Sequence, residues 1–419
     1  MIAPAMKGQI IVDGAQDSVE HMRAAATGSA LEVLKAFGWL GLTCFGGPIA
    51  HIGYFRTEFV TRRRWLSETD FADLVALCQF LPGPASSKLG FSLGLLRAGF
   101  WGGLAAWLGF TLPSAGLLIA FAYGAGALGE TMLGQGLLHG LKLVAVAIIA
   151  QAVWGMARTL CPDRTRASIG TAAAALALIA PSSLGQISAI ALGAALGLTF
   201  CRDLVQSAAH PLHFRVSRTT GFVALTAFFG LLALSFAPYP DGLAAMCGAY
   251  YRSGALVFGG GHVVLPLLSE AVVTPGWVGR ETFLAGYGAA QAVPGPLFTF
   301  AAFLGAVSKP PFGGALGGTL ALIAIFLPGL LLQLGALPFW GALQKRADTQ
   351  AAMRGINAAV VGILGAALYT PVSTSAITGP IDFAIALTGM VLLIAWRVPP
   401  VVIVALTALA GMASAMIAP

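Results

Sequence analysis

Residues 79–90 read QFLPGPASSKLG, and residues 291–300 read QAVPGPLFTF. Each places a glutamine three residues ahead of a Pro-Gly-Pro break, inside sequence that is otherwise apolar. Comparing the chain with itself at a shift of 212 to 213 residues extends the match on both sides. GLTCFGGPIAHIG (41–53) falls on GALVFGGGHVVLP (254–266), Glu58 on Glu270, Trp65 on Trp277 and Phe71 on Phe283. Farther on, FTLPS (110–114) meets IFLPG (325–329), and GLKLVAVAIIAQAVW (140–154) meets GINAAVVGILGAALY (355–369). The chain is therefore a duplication, with about 170 residues in each copy.

The medium is set by composition. Of 419 residues, 58% are hydrophobic and 9% charged, against about one quarter charged in a soluble domain, and the mean hydropathy is +0.85. Runs such as 99–128 and 137–157 exceed the ~20 residues a spanning helix needs. The net charge of +7 does not indicate nucleic acid, because Lys and Arg sit in short loops between apolar runs, where they set topology. Cys44, Cys78, Cys161, Cys201 and Cys247 are scattered without CxxC or Cys/His spacing and read as small packing residues. Neither a metal nor another cofactor is expected, and the dinucleotide fingerprint of an oxidoreductase is missing. Residues 1–28 mix acids and bases without the order of a signal peptide and read as a polar tail.

Topology follows from the basic loops. Arg62, Arg63 and Arg64, then Arg97, then Arg158, Arg164 and Arg166, then Arg202 to Arg218 all lie on one side if the first two apolar units go in and come back. Their midpoints are the breaks FGGP (45–48) and LPGP (81–84). The run 219–238 has no twin and carries the chain across, so the second copy starts on the other side, and Lys345, Arg346 and Arg397 return to the cytoplasm. The expected fold is an all-α polytopic membrane protein of two inverted-topology repeats, an arrangement common among secondary transporters. Each repeat opens with broken or re-entrant helix hairpins, and one extra transmembrane helix joins the two. The divisions are a tail 1–28, a first repeat 29–201, a basic loop plus linking helix 202–240, and a second repeat 241–419. The N-terminus is expected in the cytoplasm and the C-terminus in the periplasm. Counting the broken units as full spans instead leaves the inversion intact.

A helix broken in hydrocarbon leaves backbone groups that only protein, water or a ligand can satisfy. Pro84 suits the first turn of a helix, and Ala85, Ser86 and Ser87 then offer free N–H groups and two hydroxyls at the positive end of its dipole, a setting that favours anions. Lys88 adds a full charge. Gly46, Gly47 and Gly83 let backbone approach a ligand closely. The second copy supplies Gly259, Gly260, Gly295, Pro296 and Thr299, with Thr299 on Ser87 but Phe300 on Lys88. The expectation is one asymmetric anion site at the repeat interface, dominated by the first half. A break that merely turns a hairpin is the structural alternative, and duplication at matched positions weighs against it.

Supporting or coupling candidates are fewer. His51 and His262 follow the two FGG breaks without aligning, as proton relays or as packing histidines. Glu58 and Glu270 do align, and each is a candidate to carry a proton, to pair with a base or to sit at the interface. Gln79 and Gln291 could bond loose backbone or touch substrate. Lys88 could also pair with Asp70 or Asp73, and Lys142, whose twin is Asn357, reads as a snorkelling lysine.

FGGPIAHIGYF, RRRWL and QFLPGPASSKLG, echoed as FGGGH, GW and QAVPGP, resemble the chromate ion transporter family in its long, two-domain form, from about Leu31 to Met416. The resemblance implies a bacterial inner-membrane transporter that exports chromate, linked to the proton motive force, and confers chromate resistance. Its characteristic positions fall on Phe45, Gly46, Gly47, Pro48, Trp65, Gln79, Pro82, Gly83 and Pro84, and on Phe258, Gly259, Gly260, Trp277, Gln291, Pro294, Gly295 and Pro296. Gly261 stands where Pro48 does in the first half, so the two breaks need not share a geometry. A transporter of sulfate or another oxyanion, with chromate as mimic, is the alternative, since the donors do not distinguish tetrahedral anions. Expected partners are the oxyanion and the bilayer, without nucleic acid; a homodimer is left open.

Overall fold

The computed structural model describes residues 28–129, 131–180, 182–202, 216–239, 242–258, 261–309, 313–343 and 346–417. Gly259, Gly260, Lys345, the tail 1–27 and most of the basic loop lie outside the described residues. Among the described residues the chain is helical throughout, without strands.

The first repeat comprises α1 (Ala30–Thr43), α2 (Gly47–Phe55, continued by a π-helical turn Arg56–Arg62), α3 (Glu68–Phe80), α4 (Ala85–Gly129), α5 (Met132–Leu160), α6 (Arg164–Ile179) and α7 (Ser183–Phe200). α8 (Arg218–Ser235) stands alone. In the second repeat, α9 is Leu243–Ala255, and α10 is Val264–Leu268, flanked by a 3-10 turn Gly261–Val263 and a π-helical turn Ser269–Val273. α11 is Arg280–Ala292, and α12 is Phe300–Val307 after a 3-10 turn Leu297–Thr299. α13 (Gly314–Ala336), α14 (Ala347–Ala367), α15 (Pro380–Ile394) and α16 (Pro400–Ile417) complete the chain. Element for element the second repeat matches the first. Ala98 and Gly99 break α4 into two antiparallel limbs, the counterpart of the gap between α12 and α13.

Both early units of the first repeat are helical hairpins. α1 starts beside Glu32, whose carboxylate binds Arg97 at 3.1 Å. α2 ends near Trp65, with the guanidinium of Arg97 5.2 Å from the centre of its ring and that of Arg63 5.7 Å away. Between these ends Phe37 of α1 stacks on Phe59, centroids 4.8 Å apart, so the two arms run side by side. α3 leaves from the same end, where Ser67 caps it by accepting from Asp70 N–H, and the first limb of α4 returns to Arg97. A helix of 13 or 14 residues is ~20 Å long, about two thirds of the hydrocarbon thickness, so neither α1 nor α3 is long enough to span a bilayer by itself.

The repeats interlock. Along the second limb of α4 and along α13, Trp107 meets Phe326, Ile119 lies beside Gly318, and Tyr123 Oη accepts from Ala315 N–H at 2.8 Å. These matched helices therefore run antiparallel. Gly136 and Gly140 of α5 press on the backbone of Gly411 and Thr407 in α16, while Gly355 of α14 presses on Gly193 and Gly197 in α7. Each copy thus lends its long helix to the other's closing pair, through small residues that let backbones touch.

Five helical segments among the described residues are long and apolar enough to cross a membrane: Ala85–Gly124, which the break at Ala98 and Gly99 divides into its two limbs, Met132–Leu160, Arg218–Ser235, Gly314–Ala342 and Ala347–Ala376. The exposed side chains of Trp39, Trp101, Trp154, Phe222 and Trp396 form a surface suited to lipid rather than water.

Candidate functional site

The hairpin tips meet across the repeats and are hydrogen-bonded crosswise. Gly83 N–H donates to Val257 C=O at 2.7 Å, and its twin Gly295 N–H donates to Cys44 C=O at 2.8 Å. Both glycines are left-handed, with φ of 101° and 97°. A side chain at Gly83 would meet Gly329 Cα at 3.0 Å, and one at Gly295 would meet Ser114 Oγ at 2.8 Å. These are the positions where only glycine both turns and fits. The start of the other hairpin's return helix completes the cluster. Pro48 lies against Gly261, which also contacts Leu297, and Pro84 lies against Gly329. Sequence reading grouped these breaks by alignment, and the structure brings them into contact.

At the first-repeat tip Lys88 is fully buried. Its Nζ donates to Leu81 C=O at 2.5 Å and to Pro82 C=O at 3.0 Å, the loose carbonyls at the end of α3. The ammonium is thus held by the preceding helix's C-terminal carbonyls, where a cation is favoured, rather than by Asp70 or Asp73. Ser86 and Ser87 are buried beside it, and Ser87 Oγ has no hydrogen-bond partner. Gly46 and Gln79 are exposed.

The tip of the second repeat is built differently. Thr299, on Ser87's position, turns both its N–H and its hydroxyl back onto Pro296 C=O, at 3.0 and 2.7 Å. Phe300 packs against Phe283, Tyr287 and Phe303. Gln291 Nε2 is buried without a partner. His262 meets Tyr287 Oη through Nδ1 at 2.6 Å. His51 is buried edge-on to Phe110, its ring centre 5.2 Å from that of the phenylalanine, and neither ring nitrogen completes a hydrogen bond.

The aligned glutamates lie away from the tips. Glu58 accepts from Arg62 at 2.5 Å and from Arg63 at 2.6 Å, the pairing with a nearby base that was one of its three readings. Where Arg62 stands in the first copy, Thr274 stands in the second, and its hydroxyl donates to Glu270 at 2.9 Å. Lys142 pairs with Glu281.

Gln333 and Ser92, which sequence reading did not single out, and Cys78, which it read as a packing residue, belong with Lys88. Gln333 of α13 is fully buried, and its Nε2 donates to Ser92 Oγ at 2.7 Å and points to Cys78 Sγ at 3.4 Å. Its Oε1 is left without a partner. The twins of Cys78, Lys88, Ser92 and Gln333 are Ala290, Phe300, Leu304 and Leu118, all apolar. That mismatch in the self-alignment was a usable signal.

The family question can be settled against known proteins. The chromate transporter family model matches residues 31–198 and again 244–412. This chain belongs to the chromate transporter family. The chromate transport protein of Pseudomonas aeruginosa is 29% identical over 402 residues, covering 93% of this chain and 92% of that protein. The probable chromate transport protein of Synechococcus elongatus is 28% identical, covering 94% of this chain and 98% of its own length. A chromate transport protein of Cupriavidus metallidurans is 26% identical, covering 93% and 94%. These relatives are named as transport proteins, not enzymes. No solved structure matches the chain.

Proposed function

We propose that this member of the chromate transporter family carries chromate out of the cytoplasm, binding it where the four hairpin tips meet. The crosswise pair Gly83–Val257 and Gly295–Cys44 carries the reading. It supports inverted repeats with a common centre near mid-membrane, where helix starts converge and Lys88 supplies charge. Ser86, Ser87 and the free N–H groups of the first turn of α4 replace the anion's hydration shell, in the manner of helix N-termini. Gly46, Gly47, Gly83, Pro84, Gly295, Pro296 and Thr299 shape the contact. Gly259 and Gly260 complete the second break by alignment.

The orientation proposed places Arg62, Arg63, Arg97 and Arg158 in the cytoplasm of a bacterial inner membrane. A dianion leaving a negative interior moves with the potential at roughly 2.3 kcal/mol per charge per 100 mV, so the membrane potential alone favours export. The proton motive force then acts mainly through its electrical part, and chromate resistance follows from export.

Flux in proteoliposomes tests the site. Ser87→Ala and Lys88→Ala are each expected to lower chromate flux at least tenfold with assembly unchanged by size-exclusion chromatography. Normal flux in both would remove the site from this place. A sulfate excess that blocks chromate without being carried supports chromate as the substrate, whereas sulfate flux at the same rate supports the broader oxyanion reading. Insensitivity of flux to a clamped potential would count against potential-driven export.

A further inference from the structure

A second polar cluster lies away from the tips. At the end of the molecule opposite Arg62, Arg63 and Arg97 is a cavity of about 570 Å3, lined by Gln135, His139 and Lys142 of α5, Glu281 and Thr282 of α11, and Phe303. The Lys142 side chain is 12% exposed and its partner Glu281 67% exposed. The cation is therefore fixed in the wall, and the carboxylate that faces it is the replaceable one. His139 is anchored from behind. Its Nε2 bonds Asp382 Oδ1 at 2.8 Å, and Asp382 in turn accepts from Thr378 N–H and Oγ1 at 2.8 and 2.6 Å.

The cluster belongs to one face only. The twins of Lys142 and Glu281 are Asn357 and Thr69, so the matching place at the arginine-rich end carries neither charge. Packing differs in the same sense. α11 lies along α5, with Gly288 against the Leu141 carbonyl and Ala285 and Ala289 against Leu141, Val144 and Ile148. From this cavity the hairpin α11–α12 runs inward to the tip at Gly295.

We infer that this cavity is a second oxyanion site, on the far side of the tips, in which Lys142 is the cationic ligand and Glu281 is the built-in carboxylate that an arriving anion displaces. The inference rests on the proposed function, which supplies the anion. Gln135 and Thr282 offer neutral donors around Lys142. Displacing Glu281 also releases the one ion pair that ties α11 to α5 among the described residues, so filling the site loosens the hairpin whose tip, at Gly295, packs against the first repeat beside the first anion site. The charge pair is therefore a latch opened by the cargo itself.

Equilibrium dialysis of radiolabelled sulfate and chromate against the full-length protein in nanodiscs tests this. Two sites are expected. Lys142→Gln should remove one and leave the site sensitive to Ser87→Ala, and Lys142→Arg should keep both. Glu281→Gln should tighten the second site about two- to fivefold, the range expected for removing a partly exposed competing charge. A single site that is lost with Ser87→Ala and unmoved by Lys142→Gln and Glu281→Gln overturns this inference while leaving the proposed function intact. No anion bound at any site by wild-type protein overturns the proposed function, and this inference with it.

Discussion

The two Pro-Gly-Pro tips share a backbone and differ in what they bury. Both turn at a left-handed glycine, and both hand that glycine's N–H to the other repeat. Behind the first lie Lys88, Cys78, Ser92 and Gln333; behind the second lie Phe300, Ala290, Leu304 and Leu118. Ser87 keeps an unused hydroxyl, while Thr299 spends its own on Pro296. Duplication thus fixed the scaffold, and divergence left one tip polar and one tip closed. A buried polar group without a full set of partners costs roughly 1–3 kcal/mol. The first tip is accordingly the less comfortable of the two, and a ligand there has the most to relieve.

Exchanging residues between the tips tests that contrast most severely. Phe300→Lys would bury an uncompensated charge among Phe283, Tyr287 and Phe303, and a loss of about 3–5 kcal/mol is expected, read as reduced recovery of folded protein. The reverse change, Lys88→Phe, should fold yet lower chromate flux by about 100-fold; flux within threefold of wild type would mean that the polar tip is not where anions bind. Next in size, Gly83→Ala and Gly295→Ala should each destabilise by about 1–3 kcal/mol, because the backbone is left-handed and the space already filled. Equal melting shifts for the two would confirm the tips as matched scaffold, and unequal shifts would show that one carries more of the contact. Gln333→Leu, which installs the twin's residue, should cost flux about tenfold but stability only about 1 kcal/mol. Thr299→Val should be the mildest, with flux changed less than threefold, since its hydroxyl is already satisfied within its own turn.

Much of this was legible beforehand because duplication writes the same signal twice. The FGG and PGP breaks, the matched Glu58 and Glu270, and the odd helix between the copies need only local sequence and a shift. The lysine at 88 stood out because a charge in apolar sequence is rare. Its partners did not. Gln333 reaches Ser92 across 241 residues of chain, and a lone amide in a hydrophobic helix has no periodicity to announce it. The same holds for His139 with Asp382 and for Lys142 with Glu281, pairs that only the packing of α5 against α15 and α11 brings together. Glu58 could not be assigned from sequence because three roles fit its position, and the fold of the Arg56–Arg62 turn chose among them.

The interlocking of α5 with α16 also bears on how the protein is made. The groove of Gly136 and Gly140 is filled by Thr407 and Gly411, residues synthesised about 250 positions after α5 ends. At ~5–20 residues per second, α5 waits roughly 12–50 s in the membrane with its small-residue face uncovered. During that interval the half-made chain needs lipid or the insertion machinery against that face, which makes the last helix the step that ends the chain's exposure to wrong partners.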